Sequence, residues 1–171
     1  MLETPRLLFR PYTWDDFQFY VDLWQDPDVV RHIGDGQVRS KTSLKTNYPY
    51  WLAKSALGRG VLLMVHKATQ RPIGHAGLVP QEVAGSMELE VGYWLAKRYW
   101  GHGFATEAAS LFRDIGFTAF KRDRLISIIQ PANGASIHVA EKIGMQFEQC
   151  TQFHQQLVHI YSMIQNHDAV D

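Results

Sequence analysis

The stretch Arg98-Tyr99-Trp100-Gly101-His102-Gly103-Phe104-Ala105 sets two glycines directly before a run of small and apolar residues. Glycine at such a place lets backbone approach a ligand with no Cβ in the way. If a helix starts there, its first amides lack internal partners and carry the positive end of the dipole, which suits an anion. A diphosphate is the natural guest. Two common phosphate loops fail on the residues present. A Walker loop ends in Gly-Lys-Ser/Thr, whereas Phe104-Ala105 follow Gly103; a dinucleotide fingerprint needs a small residue where Thr106 stands. Taken alone, Gly101 and Gly103 also read as a flexible strand-to-helix turn, and Arg98 as a solvated surface charge.

Just upstream, Met87–Leu95 alternates as a strand: Met87, Leu89, Val91 and Tyr93 share one face, Glu88, Glu90 and Gly92 the other. Two carboxylates one pleat apart beside an anion loop are candidates for proton transfer, or plain solvated strand carboxylates. Asn133 precedes a helix by the right spacing to cap it. Cys150 is the only cysteine, so no internal disulfide or Cys-rich zinc site is expected, and its expected place is a buried thiol. The eight histidines form no H-E-x-x-H or Cys–His pattern, so no metal is expected.

The elements that must position these residues follow from periodicity. Leu7–Pro11 reads as a strand, and about Asp15 to Gln25 as a helix stopped by Asp26-Pro27-Asp28. Gly34-Asp35-Gly36 marks a loop, and Ser43–Ala56 a second helix carrying Pro49. Val61–Lys67 and Pro72–Val79 form a hairpin, with Met87–Leu95 as the third strand. The small-residue stripe Ala105, Ala108, Ala109, Phe112, Ile115, Gly116 and Ala119 predicts a core-facing helix. A strand at Leu125–Gln130, a helix at Ala135–Ile143 ending at Gly144, and strands at Met145–Cys150 and Leu157–Ile164 complete the pattern. Gln165–Asp171 reads as a polar tail that frays. The fold class is α/β with a mixed, mostly antiparallel sheet of about seven strands and about four helices, in a single domain over residues 1–171. Met87 to Gln130 is expected to form a right-handed parallel crossover.

Composition narrows the function. Lys plus Arg and Asp plus Glu each number 17, and this balance argues against nucleic acid as partner. The longest apolar run, Val61–Val65, is too short to cross a bilayer, and the N-terminus lacks signal-peptide character. A soluble cytoplasmic protein is the expectation.

Arg98-x-x-Gly101-x-Gly103 resembles the R/Q-x-x-G-x-G/A loop of the GNAT acyltransferases. Gly92-Tyr93-Trp94-Leu95 before it and Ala105-Thr106-Glu107-Ala108 behind it resemble the branch holding the ribosomal-protein alanine N-acetyltransferases. Asn133-x-x-Ser136 with Glu141-Lys142-Ile143-Gly144-Met145 is similar to that branch's second cofactor motif. The opening Thr4-Pro5-Arg6-Leu7-Leu8-Phe9-Arg10 and Asp26-Pro27-Asp28-Val29 match it too, so the resemblance spans nearly the full length.

The resemblance implies the GNAT acyltransferase fold and an N-acetyltransferase using acetyl-CoA as cosubstrate. It implies cofactor contacts at Val91, Gly92, Tyr93, Arg98, Trp100, Gly101, His102, Gly103, Phe104, Ala105, Asn133 and Ser136. It also implies direct attack by a primary amine in a ternary complex, with no acyl-enzyme, so Cys150 is not needed. The pantetheine arm adds beside Met87–Leu95, a backbone N–H near Val91–Tyr93 polarises the thioester, and Gly92 marks a bulge that admits the arm. Glu90 is the first candidate base and Glu88 the second. Many members carry a tyrosine acid where Ala140 stands here; Ser136 is the replacement candidate, with Tyr161 read as core and solvent protonation of a thiolate of pKa about 8.5 also feasible. The acceptor pocket is expected between Asp26–Arg39, with His32, and Cys150–Gln155, with His154. The acceptor is a protein N-terminus or a small-molecule amine, and the enzyme a monomer or homodimer. The competing readings are a non-catalytic acyl-coenzyme A-binding module and a generic nucleotide enzyme, the latter disfavoured by the missing lysine.

Overall fold

The computed structural model describes residues 2–58 and 60–165; apart from Gln165, the expected tail lies outside the described residues. One eight-stranded sheet runs β1 (Leu2–Glu3), β2 (Leu7–Arg10), β3 (Val61–His66), β4 (Arg71–Val83), β5 (Ser86–Leu95), β6 (Arg124–Ile129), β8 (Gln156–Ile164), β7 (Gln146–Phe153) in spatial order. Every neighbouring pair is antiparallel except β5 and β6, which are parallel. The helices are α1 (Phe17–Gln25), α2 (Pro27–Val30), α3 (Lys41–Ala56), α4 (Phe104–Thr118) and α5 (Gly134–Lys142).

Sequence periodicity and structure differ in count and in some bounds. The eighth strand is Leu2–Glu3, two exposed residues too few to show alternation. The fifth helix is the single turn Pro27–Val30: Asp26 both stops α1 and caps the next turn, its carboxylate accepting from the Asp28 N–H. Pro49 sits inside a continuous α3. β4 runs to Val83 because it pairs with β5 without a break from Gly74 opposite Leu95 to Val83 opposite Ser86. That register carries no shift at Gly92, so no bulge interrupts the β4–β5 pair there.

Strand alternation sorts the core onto the sheet's two faces. Leu7, Phe9 and Met64 pack with Ala108, Ala109 and Phe112 of α4 and with Ala140 of α5. Leu63 and Val65 pack with Tyr20 and Val21 of α1 and Leu44 and Tyr48 of α3. Cys150 is exposed on β7, contrary to the expected buried thiol; β7 is the terminal strand and most of its residues face solvent. Tyr161 is buried in the core.

Candidate active site

β5 and β6 share one register pair, Glu90 opposite Ile126. Past it, Val91, Tyr93 and Leu95 of β5 and Ser127, Ile128 and Ile129 of β6 line the same cleft of about 390 Å³. The strands are held at this split by a side chain rather than by a ladder: the buried Ser127 hydroxyl donates to the Val91 carbonyl at 3.0 Å. The widening thus lies on the β6 side of β5, while the β4–β5 register runs through Gly92 without a shift. An incomplete parallel ladder leaves strand N–H and C=O groups available to an extended ligand arm.

The cleft leads to the N-terminus of α4. Gly101 and Gly103 both adopt φ +78°, and Gly103 is the N-cap with no side-chain cap bond. A left-handed backbone at both positions is where glycine is required. Gly101, Gly103, Ala105 and Thr106 line the cleft, so the uncapped first turn of α4 faces it. A clamp holds this loop against the N-terminal strand. Glu107 accepts from the Thr4 hydroxyl (2.5 Å), the Arg6 N–H (2.9 Å) and Arg6 Nε (2.6 Å), while Arg6 Nη1 donates to the His102 carbonyl (2.9 Å). Burial raises the Glu107 pKa, but these donors outweigh it and the net shift is downward. The Arg6 guanidinium also lies 4.5 Å from the Phe104 ring centroid.

The expected cofactor residues divide. Val91, Tyr93, Trp100, Gly101, Gly103, Phe104, Ala105, Asn133 and Ser136 line the cleft together. Arg98 does not: its guanidinium stacks over Tyr99 at 5.0 Å. His102 does not line it either, and serves the loop through its carbonyl. Gly92 faces a second, adjoining cleft. The Arg and Lys residues that line the first cleft are Arg31, which lies in none of the quoted motifs, and Lys142, which stands in the second motif but was not among the expected contacts. Asn133 is the N-cap of α5, its Oδ1 accepting from the Ser136 N–H at 3.2 Å. The Ser136 carbonyl accepts from the Tyr93 hydroxyl at 3.1 Å, tying α5 to β5.

The two carboxylates differ sharply. Glu88 is held by Arg124 at 3.1 Å, and Arg124 in turn pairs with Glu148 at 2.6 Å. Glu90 has no cation within ion-pair distance among the described residues. It accepts from Gln81 Nε2 at 2.8 Å and from the Ile128 N–H. Burial raises its pKa, and those two hydrogen bonds only temper the rise. Glu90, His32, Ile33, Trp94 and Ile128 line both clefts, so Glu90 sits where they meet.

The second cleft, about 920 Å³, covers the other face of β4 and β5. Trp24, Trp51, Trp94 and His75 form part of its wall, and both expected segments reach it through His32–Gly34 and Phe153–His154. His75 is buried, its Nδ1 2.9 Å from the Tyr12 hydroxyl, and burial lowers its pKa to about 3, so the ring is neutral.

This geometry agrees with what the chain is similar to. Residues 6–146 match the family model described as an acetyltransferase (GNAT) domain. An uncharacterized protein of Bacillus subtilis, YkkB, is 37% identical over 127 residues, covering 73% of this chain and 72% of that protein. The crystal structure of an acetyltransferase from Agrobacterium tumefaciens is 28% identical, with TM-score 0.78 over 96% of this chain and 94% of that one. The fold is also that of RimL, a ribosomal L7/L12 alpha-N-protein acetyltransferase solved with coenzyme A: TM-score 0.75, 15% identity, 94% of this chain and 95% of that chain.

Proposed function

We propose a reaction for a chain that belongs to the GNAT acetyltransferase family: transfer of an acetyl group from acetyl-CoA to a primary amine, by direct attack in a ternary complex. The observation that carries this reading is the meeting of two clefts at Glu90, one ending on the uncapped helix amides and the other open for an acceptor.

The residues fit the cosubstrate. The positive-φ glycines and the first amides of α4 suit a diphosphate, with Arg31 and Lys142 supplying charge. The open side of β5 past Glu90 offers backbone groups to a pantetheine arm. Bound acetyl-CoA supplies the thioester; an N–H near Val91–Tyr93 polarises its carbonyl. Glu90 takes the proton of the attacking amine, directly or through one water, and its raised pKa brings it closer to that of an amine. Glu88, tied to Arg124, which also holds Glu148, serves structure. The Ser136 hydroxyl, which makes no hydrogen bond among the described residues and lines the first cleft, is the candidate donor to the leaving thiolate, with water returning its proton.

A non-catalytic acyl-coenzyme A-binding module is the second reading, favoured by buried Ala140 at the position where the family resemblance implies a tyrosine acid. Coenzyme A release measured against a panel of amines, alongside acetyl-CoA binding by calorimetry, separates the two. Amine-dependent release with an acetylated product is expected. Binding without release for every amine assigns the module, and absence of binding removes both.

A further inference from the structure

We infer that the acceptor is a primary amine carried on an aromatic or similarly flat apolar body, seated over Gly92 with its nitrogen at Glu90. This rests on the transferase reading and names its substrate class.

Gly92 is the first observation. Its φ is not in the left-handed region, so its backbone does not require glycine. A Cβ built there meets only Val79 Cγ2 at 3.9 Å and Glu90 Cδ at 4.0 Å, ordinary van der Waals contact. No protein atom needs the missing side chain. What a side chain would occupy is the second cleft, which Gly92 lines between Glu90 and Trp94. Glu90 and Trp94 are four residues apart on β5, roughly 13 Å at about 3.3 Å per residue. That length takes a short amine arm and a ring.

The walls are the second observation. Trp94 meets Trp24 edge-on at 4.8 Å and the neutral His75 ring at 4.9 Å, and Trp51 meets His75 at 5.3 Å. Among the lining residues, Phe120 is 50% exposed, and Tyr50, 67% exposed, has the Lys54 ammonium 5.3 Å from its ring centroid. Aromatic faces left in water beside an aromatic-walled cleft gain most from covering by another flat apolar group.

Charge is the third. Of the two carboxylates lining the cleft, Glu88 is already paired with Arg124, leaving Glu90, while Lys54 and Arg122 line it as cations. One ammonium is answered by Glu90; the several cations of a polyamine are not. An extended peptide is no better served, because the floor strands β4 and β5 are paired to each other in continuous register.

The test is kcat/KM for phenethylamine, tryptamine, ethylamine, spermidine and an alanine-initiated peptide with the full chain. Phenethylamine and tryptamine should lead spermidine and the peptide by at least tenfold. In Gly92→Val, the ratio of tryptamine to ethylamine kcat/KM should fall at least tenfold, with a smaller fall in Gly92→Ala. A folding or cosubstrate defect lowers both amines and leaves the ratio, so an unchanged ratio overturns the inference. Preference for spermidine or the peptide overturns it too, and leaves the transferase reading intact. Release of coenzyme A with none of the amines, while acetyl-CoA binds, overturns the transferase reading itself.

Discussion

Glu90 and Glu88 are one pleat apart on the same strand face, yet their environments give them different chemistry. Glu88 lies against Arg124 and Glu90 against a neutral amide and a backbone N–H, and burial raises the Glu90 pKa. Glu90→Gln keeps the size and removes the base. Cosubstrate affinity should hold while kcat falls on the order of 10²-fold. The sign of the pH effect follows from the upward shift. In the wild type the rate falls with pH as Glu90 takes up a proton, and that limb lies above the ordinary carboxylate range. The mutant should lose the limb and recover partly at high pH, where the amine is already neutral. A pH–rate profile identical to wild type acquits Glu90. Sequence alone ranked Glu90 first but gave no means of separating it from Glu88. The separating groups are Arg124, 36 residues away, and the Ile128 N–H, which reaches Glu90 only through the β5–β6 pairing.

At the scale of elements, the loop before α4 was legible because glycine, helix onset and small-residue stripe coincide in one stretch. Its support was not. Thr4 and Arg6 are about a hundred residues from Glu107, and only the strand–helix contact reveals that two stretches of family-like sequence are one clamp. Arg98 stands apart from the loop at this scale: the short 3-10 turn Lys97–Tyr99 leaves its guanidinium over Tyr99, outside the residues that line the cleft. Gly103→Val tests the loop. The position needs φ +78°, and an added Cβ approaches Arg6 Nη2 at 3.5 Å, so a branched residue strains the turn and crowds the phosphate site. Calorimetric titration should show at least tenfold weaker binding of acetyl-CoA, about 1.4 kcal/mol, in a mutant that remains folded by circular dichroism. An unchanged dissociation constant removes this loop from the diphosphate site.

At the scale of the molecule, α1 and α3 must be fixed to the sheet edge for the second cleft to have a roof, and Asp16 is the joint. Its carboxylate takes both Arg10 guanidinium nitrogens of β2, at 2.7 and 2.8 Å, and the Thr13 N–H and hydroxyl; the Thr13 carbonyl then accepts from Tyr48 of α3 at 2.7 Å. The helix start at Thr13-Trp14-Asp15-Asp16 was readable from local residue types. That Asp16 is 5% exposed and, together with Thr13, links β2 to α3 was not, because Arg10 and Tyr48 reach this turn only in the fold. Burial raises the Asp16 pKa, but the Arg10 and Thr13 hydrogen bonds outweigh it and the net shift is downward. A carboxylate whose folded pKa is depressed contributes stability above its unfolded pKa of about 3.9 and loses it as pH falls through the folded value. Asp16→Asn should therefore cost about 2 to 4 kcal/mol in urea unfolding at pH 7. This falls short of a fully buried pair because the Arg10 side chain keeps 35% exposure. The gap between mutant and wild type should narrow as pH drops below about 4, where the unfolded chain's carboxylate takes up a proton while the folded one, its pKa depressed, is still ionised. A gap of the same size at pH 7 and pH 3 shows that Asp16 acts through packing alone, and that the charge on this joint does not hold the acceptor side of the molecule together.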